Sequence, residues 1–491
     1  MSTLSQAADA ALRIGSKRFT ESYILAEVLA QTAAPHTAVP PALRSGLGNT
    51  AIVYEALRSG SIDLYAEYSG TIAQEILKKD QPDQPGTPAA PMTREAMNAA
   101  LAPLGLGVAV PFGFNDGYAL AMRADRADSL GIRSLADLAA HPELRLGLSN
   151  EFIGRADGWK GLAAHYRLPQ SPAGLDHGLA YAAVGAQQVD VIDIYTTDAK
   201  IDSLGLRVLK DDGGYFPRYD AVVLYRLDVP VRFPQAWASL LRLEGRIDER
   251  AMIAMNARAE LQGESFTAIA HSFLSGGTAP AMQSGFSARL FGPDLGRLTR
   301  QHLLLVGASV GLALLIGVPL AIAVSAQARL RAAVLGLAGL LQTIPSLALL
   351  AVLISWLGAI GTLPALLALT LYALLPIMRN TVTGLAEVPS GLRQAATALG
   401  MTGRQNLWLV QLPLALPTLL AGVRTATTIA IGTATIAAFI GAGGYGERIV
   451  TGLALNDRSL LLAGALPAAA LALLSEALFE ALEAWLRRRR R

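Results

Sequence analysis

The chain has 491 residues, of which 52% are hydrophobic and only 16% charged, with a formal net charge of +3. An ordinary soluble protein carries roughly 25% charged residues, so part of this chain is built for an apolar surrounding, and disorder, collagen and coiled coil are excluded. Cysteine is absent and the six His show no HExxH-type pairing, so no disulfide, no metal and no cofactor are expected.

From Leu12 onward, short apolar runs alternate with amphipathic segments. The runs are Leu12–Ile14, Leu104–Val110, Leu144–Leu148, Asp190–Tyr195 and Ala221–Tyr225; the segments include Ser22–Gln31, Thr50–Ser59 and Pro234–Leu243. Strands interleaved with helices predict mainly parallel sheets covered on both faces. A single core rarely serves ~260 residues, so two α/β lobes with a cleft are expected, the second over about 111–212. Gln81–Met92, with four prolines, reads as a surface loop.

The pattern changes near residue 300. Between Asp294 and Glu387 there is no acidic residue, and His302–Ala326 is an uncharged run of 25 residues, enough to cross ~30 Å of hydrocarbon. Further apolar runs at Ala332–Leu357, Leu363–Ile377, Leu416–Ile440 and Leu460–Leu482 give about five spans. Arg329 and Arg331, the 379–412 segment with Arg379, Arg393 and Arg404, and the terminal run Arg487–Arg491 then fall on the cytoplasmic side. That terminal run reads as a topology anchor, and no basic stripe suited to nucleic acid is seen. The first domain is thereby expected to be extracytoplasmic. Met1–Arg18 has no apolar run of an export signal, so a signal upstream of Met1 is expected. The divisions are an N-terminal tail (1–11), a two-lobed domain (12–280), a linker (281–299), a transmembrane domain (300–486) and a basic tail (487–491).

Several segments of the first domain place aromatic and basic residues at strand ends and turns, where ligands of α/β sheets bind. "IGSKRFTESYILAEVLAQ", "YAEYSGT", "GFNDGYALAMR", "IDIYTTD" and "FPRYDAVVL" follow one another in that order. Together they resemble the osmoprotectant (glycine betaine, choline, carnitine) binding proteins of ABC importers. The resemblance implies a cage of Tyr68, Tyr118, Tyr195 and Tyr219 around a trimethylammonium group, with Asp116 beside it and Lys17, Arg155 and Thr71 at the acid end. The physics suits such a cage: a quaternary ammonium has no N–H to donate, whereas ring faces attract it by about 0.5–1 kcal/mol each, and by ~2 or more when desolvated. Tyr215 competes with Tyr219 for the fourth wall, and Arg155 has Asp157 and Glu151 as nearby internal partners.

In the membrane half, Gln394-Ala395-Ala396, then Gly400, nine residues, and Val410-Gln411-Leu412-Pro413 resemble the EAA loop of ABC importer permeases, with Gln394 where the family carries Glu. The small Ala395–Ala396–Gly400 face suits a groove on a partner, and Gly400 ends a helix without the strain a side chain brings. Pro345 is expected to kink the second span. Arg424 reads as a side chain reaching to the cytoplasmic interface, and Glu476, Glu480 and Glu483 as partners of the arginine tail. No GxxxxGK[ST] occurs, so ATP hydrolysis is assigned to a separate cytoplasmic ATPase chain docked at 384–413. Five spans enclose too little for a pathway, so a homodimer through the permease domain is expected in the lipid bilayer. The reading is a binding-protein–permease fusion importing a small quaternary ammonium solute. Another betaine-like solute, such as a thiol-imidazole, or an amino acid stays open, and a ligand-gated channel or sensor is the more distant rival.

Overall fold

The computed structural model describes residues 11–77, 92–277, 285–455 and 457–489, so the expected proline-rich loop lies outside the described residues apart from Met92. Two compact units form, one of the residues up to Ala288 with Val450–Ser459, the other of Arg289–Ile449 with the residues from Leu460 on. The first contains two five-stranded sheets. One holds β1 (Arg13–Gly15), β2 (Ala42–Arg44), β3 (Leu64–Tyr68), β4 (Leu106–Ala109) and β10 (Ala221–Arg226), in the order β2-β1-β3-β10-β4. The other holds β5 (Tyr118–Arg123), β6 (Leu146–Ser149), β7 (Ala173–Leu175), β8 (Val191–Tyr195) and β9 (Leu206–Val208), in the order β7-β6-β8-β5-β9.

The sheets are mixed, not mainly parallel. β1 runs parallel to β2 and β3, and β6 parallel to β7 and β8, but β10 is antiparallel to β3 and β4, and β5 antiparallel to β8 and β9. The cause is the connectivity. The chain leaves the first lobe after β4 and returns to it before β10, so β5 and β10 are each entered from the edge where β3 and β8 end. Every residue of β3 and of β8 is buried, as expected of strands covered on both faces.

The second unit is helical. Among the described residues four helices are long and apolar enough to cross a membrane: Leu295–Ser325, Thr362–Glu387, Gly403–Ala434 and Arg458–Leu486. The expected second span is not one kinked helix. Ala328–Thr343 and Ser346–Leu357 meet at 100°, because Ile344 is extended (ψ 127°) before a proline that disfavours helical geometry in its predecessor and offers no N–H. Close helix approach depends on small residues: a Cβ on Gly422 would stand 2.8 Å from the Pro376 carbonyl, and one on Gly384 2.9 Å from that of Ala415. Arg424 is held by carboxylates of a neighbouring helix. It pairs with Glu476, and its Nη2 donates to Glu480 at 2.9 Å. Those two carboxylates are thereby held by an arginine of a neighbouring span, while most of the arginine tail expected to pair with them lies outside the described residues.

Candidate functional site

Strand register gathers the tyrosines of the first unit. Tyr68, the last residue of β3, lies opposite Ala221, the first of β10. Tyr118, the first residue of β5, lies opposite Tyr195, the last of β8. The two segments joining the lobes are tied by a bridge between Asn115 and Asp220, and the Tyr219 amide donates to the Asn115 side chain at 2.7 Å. All four residues therefore sit at or beside strand ends near the crossing between the lobes, and of the four Tyr195 lines the cavity there. Tyr118 packs 5.1 Å from Tyr195 and 5.8 Å from Tyr219, centroid to centroid. Phe19 joins the far side, 5.1 Å from Tyr195 and 6.2 Å from Tyr68. The result is a continuous run of five rings, with the four tyrosines 1–8% exposed. Tyr215 is not among them: its ring packs on His165 and Phe216, and its hydroxyl donates to the Gly158 carbonyl at 3.3 Å.

The two basic residues reach this cage already occupied. Lys17 forms a buried ion pair with Glu67, and its ammonium stands 5.3 Å from the Tyr68 ring. The Arg155 guanidinium grips Asp157 with two bonds of 2.7 Å and donates to Thr71 at 3.3 Å. It lies 4.9 Å from the Tyr118 ring, while Asp157 also accepts from the Tyr219 hydroxyl at 2.7 Å. Each cation thus braces a ring while its own carboxylate neutralises it. Asp116 is buried and accepts from the Thr197 amide at 3.2 Å; burial first, and the Glu21 charge second, hold its carboxyl well above the usual range.

Sequence reasoning passes over three residues here. Phe19 and Glu21 lie inside a quoted motif, but a Phe reads as core and a Glu in a helix's first turn reads as a dipole partner. Glu21 instead accepts from the Tyr68 hydroxyl at 2.5 Å and from the Thr197 hydroxyl at 2.6 Å. Burial pushes its carboxyl up to about 7 despite those bonds and one from Asn256. His177 packs 4.4 Å from the Tyr195 ring and bonds Asp198 at 3.1 Å. Burial opposes its charge, yet Asp198 and Asp193 raise its pKa to about 10. Nothing in the local sequence marks these pairings, because Thr197 lies 176 residues from Glu21.

The lobes are closed on one another. Arg18 faces Asp176 at 3.7 Å, Thr50 donates to Glu151 at 3.3 Å, and the Ala156 amide donates to Glu75 at 2.7 Å. A cavity of about 200 Å³ remains between them, lined by Arg18, Phe19 and Asn49 on one side and Glu151, His177 and Tyr195 on the other. A larger groove of about 520 Å³ beside Ala73, Met97 and Pro217 contains none of the five rings.

In the helical unit, Gln394, Ala395 and Ala396 lie on the Ser390–Ala398 helix, with Ala396 buried. Gly400 has φ +80° and nothing within 4 Å of where a Cβ would stand. Thr402 and Gln405 then form a reciprocal cap, and Leu412 and Pro413 open the Leu412–Ala434 helix. Leu399, Trp408 and Leu409 are 79%, 65% and 65% exposed beside this turn.

Comparison with known proteins agrees with both halves. Residues 10–276 match the family described as the substrate binding domain of ABC-type glycine betaine transport systems. Residues 313–491 match the family described as the inner membrane component of binding-protein-dependent transport systems. An osmoprotectant import permease protein of Salmonella typhimurium is 47% identical over 193 residues, 38% of this chain and 90% of that protein. A glycine betaine/carnitine/choline transport system permease protein of Bacillus subtilis is 42% identical over 37% of this chain and 84% of its own length. An ergothioneine transport permease/ergothioneine binding protein of Helicobacter pylori is 32% identical over 274 residues, 54% of this chain and 47% of that one.

Proposed function

The chain belongs to the substrate-binding family of ABC-type glycine betaine transport systems, fused to a permease domain of the same class of importer, and on that premise we propose that its cleft binds glycine betaine, choline or carnitine. The observation that carries this reading is the run of five rings in mutual contact, two of which, Phe19 and Tyr195, line the cavity between the lobes. A methylated nitrogen offers no hydrogen to donate, so π faces are the means of holding it.

Tyr68, Tyr118, Tyr195 and Tyr219 wall the ammonium, and Phe19 completes the wall. Asp116 stands beside them. Lys17, Arg155 and Thr71 hold the solute's acid end, which competes with Glu67 and Asp157 for the two cations. Closure of the lobes excludes water, which strengthens each cation–ring contact. The loaded domain, outside the cell, delivers the solute to a permease formed by two copies of this chain in the bilayer. A separate cytoplasmic ATPase docks at 384–413, seating on Ala395, Ala396 and Gly400 with Gln394, Leu412 and Pro413 at the edges, and drives alternating access. The exposed Leu399, Trp408 and Leu409 support a covered surface there, and the absence of a phosphate-cradling loop in the sequence supports a second chain.

The test is calorimetric titration of the purified full chain with glycine betaine, choline, carnitine, ergothioneine and a set of amino acids. Saturable binding of one or more methylated ammonium solutes, and none of the simple amino acids, is expected. Tight binding of an amino acid lacking a quaternary nitrogen would overturn the reading. Ergothioneine alone would narrow the solute to the betaine named for the Helicobacter relative.

A further inference from the structure

The helical unit holds an ion-pair network at a depth where charge is rare. Arg424, on the Leu412–Ala434 helix, is gripped by two carboxylates of the Arg458–Arg489 helix: it pairs with Glu476, and Glu480 accepts from its Nη2 at 2.9 Å. The Thr428 hydroxyl donates to Glu476 at 2.6 Å. At 1.5 Å per residue, Arg424 stands about 20 Å beyond Gln411 and Glu476 about 16 Å short of Arg487, against a hydrocarbon layer of ~30 Å. The network is nonetheless open on one side, with the side chains of Arg424, Glu476 and Glu480 28%, 32% and 67% exposed.

Charges at such a depth face a bundle interior or water, so the open side does not look onto lipid. The helix surface beside it agrees. Pro417, Ala421, Thr425, Thr428 and Gly432 recur every three or four residues on one side of the Leu412–Ala434 helix, and none of them is buried. None carries a large apolar side chain. Open positions on other faces of the spans are bulky and apolar, as at Leu315 (72% exposed) and Leu474 (67%); Leu474 lies about 160° around its helix from Glu476. A dry seam with a second copy suits the charges no better than lipid. In a two-fold contact the same patch meets itself, and one arginine with two glutamates, formally one negative charge in excess, would be set against its like. Water and a passing cation fit both the charges and the small side chains.

We propose that this face lines the water-filled path of the solute through the membrane, and that the Arg424–Glu476–Glu480 network makes that wall attractive to the solute's ammonium group. Glu476 is fixed by Arg424 and Thr428, while Glu480, the most exposed of the three, presents the excess charge. The inference rests on the importer reading above but on no particular solute.

The chain has no cysteine, so single cysteines report directly on water. Thr425→Cys and Gly432→Cys, with Leu315→Cys and Leu474→Cys as apolar-face controls, are reconstituted as full chains in proteoliposomes with the ATPase and ATP. Each is treated on both faces with a trimethylammonium-bearing methanethiosulfonate and with its sulfonate counterpart. Labelling of this chain is followed by mass, and each rate is divided by that of the same reagent with a free thiol. Thr425→Cys and Gly432→Cys are expected to react at least about tenfold faster than the controls, since the attacking thiolate forms in water. The cationic reagent is expected to lead the anionic one by about threefold or more, a preference that Glu480→Gln removes. Rates no higher than those of the controls overturn the proposal. So does slow labelling with ready oxidation to a disulfide-linked dimer, the mark of a dry seam between copies. Equal rates for the two reagents overturn the assignment of the charges to the wall. None of these rates depends on what the first unit binds, so a failed solute titration and a failure here are separate results.

Discussion

At the scale of single residues, Tyr118 and Tyr215 make a controlled pair. Both are buried tyrosines of one unit, yet only Tyr118 joins the cage, touching Tyr195 and Tyr219, while Tyr215 packs away from it on His165. Tyr118→Ala is expected to weaken glycine betaine binding about tenfold or more, the loss of one desolvated cation–π face. Tyr215→Phe removes only a 3.3 Å bond to a carbonyl and is expected to leave affinity within about twofold. Equal effects of the two in a titration would mean that the ring run is packing and not a cage. The four tyrosines are legible because each stands in a motif at or beside a strand end. The fate of Lys17 and Arg155 is not, because it depends on carboxylates brought in by the fold: Glu67 from the neighbouring strand β3 and Asp157 from the turn after Arg155. A basic residue in a motif announces a charge, but not whether that charge is already neutralised.

Among elements, legibility is uneven and does not follow strand length. The five runs that read as strands all form, but β2, β3, β5, β7 and β9 leave little trace in the sequence. Three of these, β2, β7 and β9, cover three residues each with little burial pattern to show, and β3 and β5 are buried nearly throughout and lack the alternation that marks a half-exposed strand. Strand direction is hidden for a different reason, since only the two crossings between lobes make β5 and β10 antiparallel. The membrane half is more readable, because hydrocarbon thickness imposes a minimum span; the 100° break at Pro345 exceeds the expected kink because a proline's effect depends on whether its predecessor stays helical. The turn at Gly400 carries the element-scale prediction. At φ +80° any L side chain is strained, and the face beside it would no longer seat closely. Gly400→Val is expected to cut ATP-driven uptake in proteoliposomes more than tenfold while solute affinity stays within about twofold. Loss of both together would remove the docking role from this turn.

On the scale of the whole molecule, the consequential fact is that receptor and permease are one chain, whose first compact unit takes the residues up to Ala288 together with Val450–Ser459 and whose second takes Arg289–Ile449 and the residues from Leu460 on. A tether turns capture by the permease into an intramolecular event, with an effective concentration in the millimolar range for a short flexible connection. A receptor held that way need bind its permease only weakly, and weak docking permits quick release after each delivery. The contact surfaces of an untethered receptor at low abundance would have to be tighter. This can be tested by placing a protease site between Pro280 and Ala281 and assaying solute uptake in proteoliposomes before and after cutting, with the ATPase supplied. Cutting is expected to leave solute affinity unchanged and to lower uptake at least tenfold when the released domain is diluted to micromolar levels. Adding that domain back toward millimolar concentration should restore transport in proportion. Uptake that survives cutting at micromolar dilution would show that the two units hold each other by their own surfaces, and the advantage of fusion would then lie in fixed stoichiometry, one receptor per permease copy, and not in local concentration.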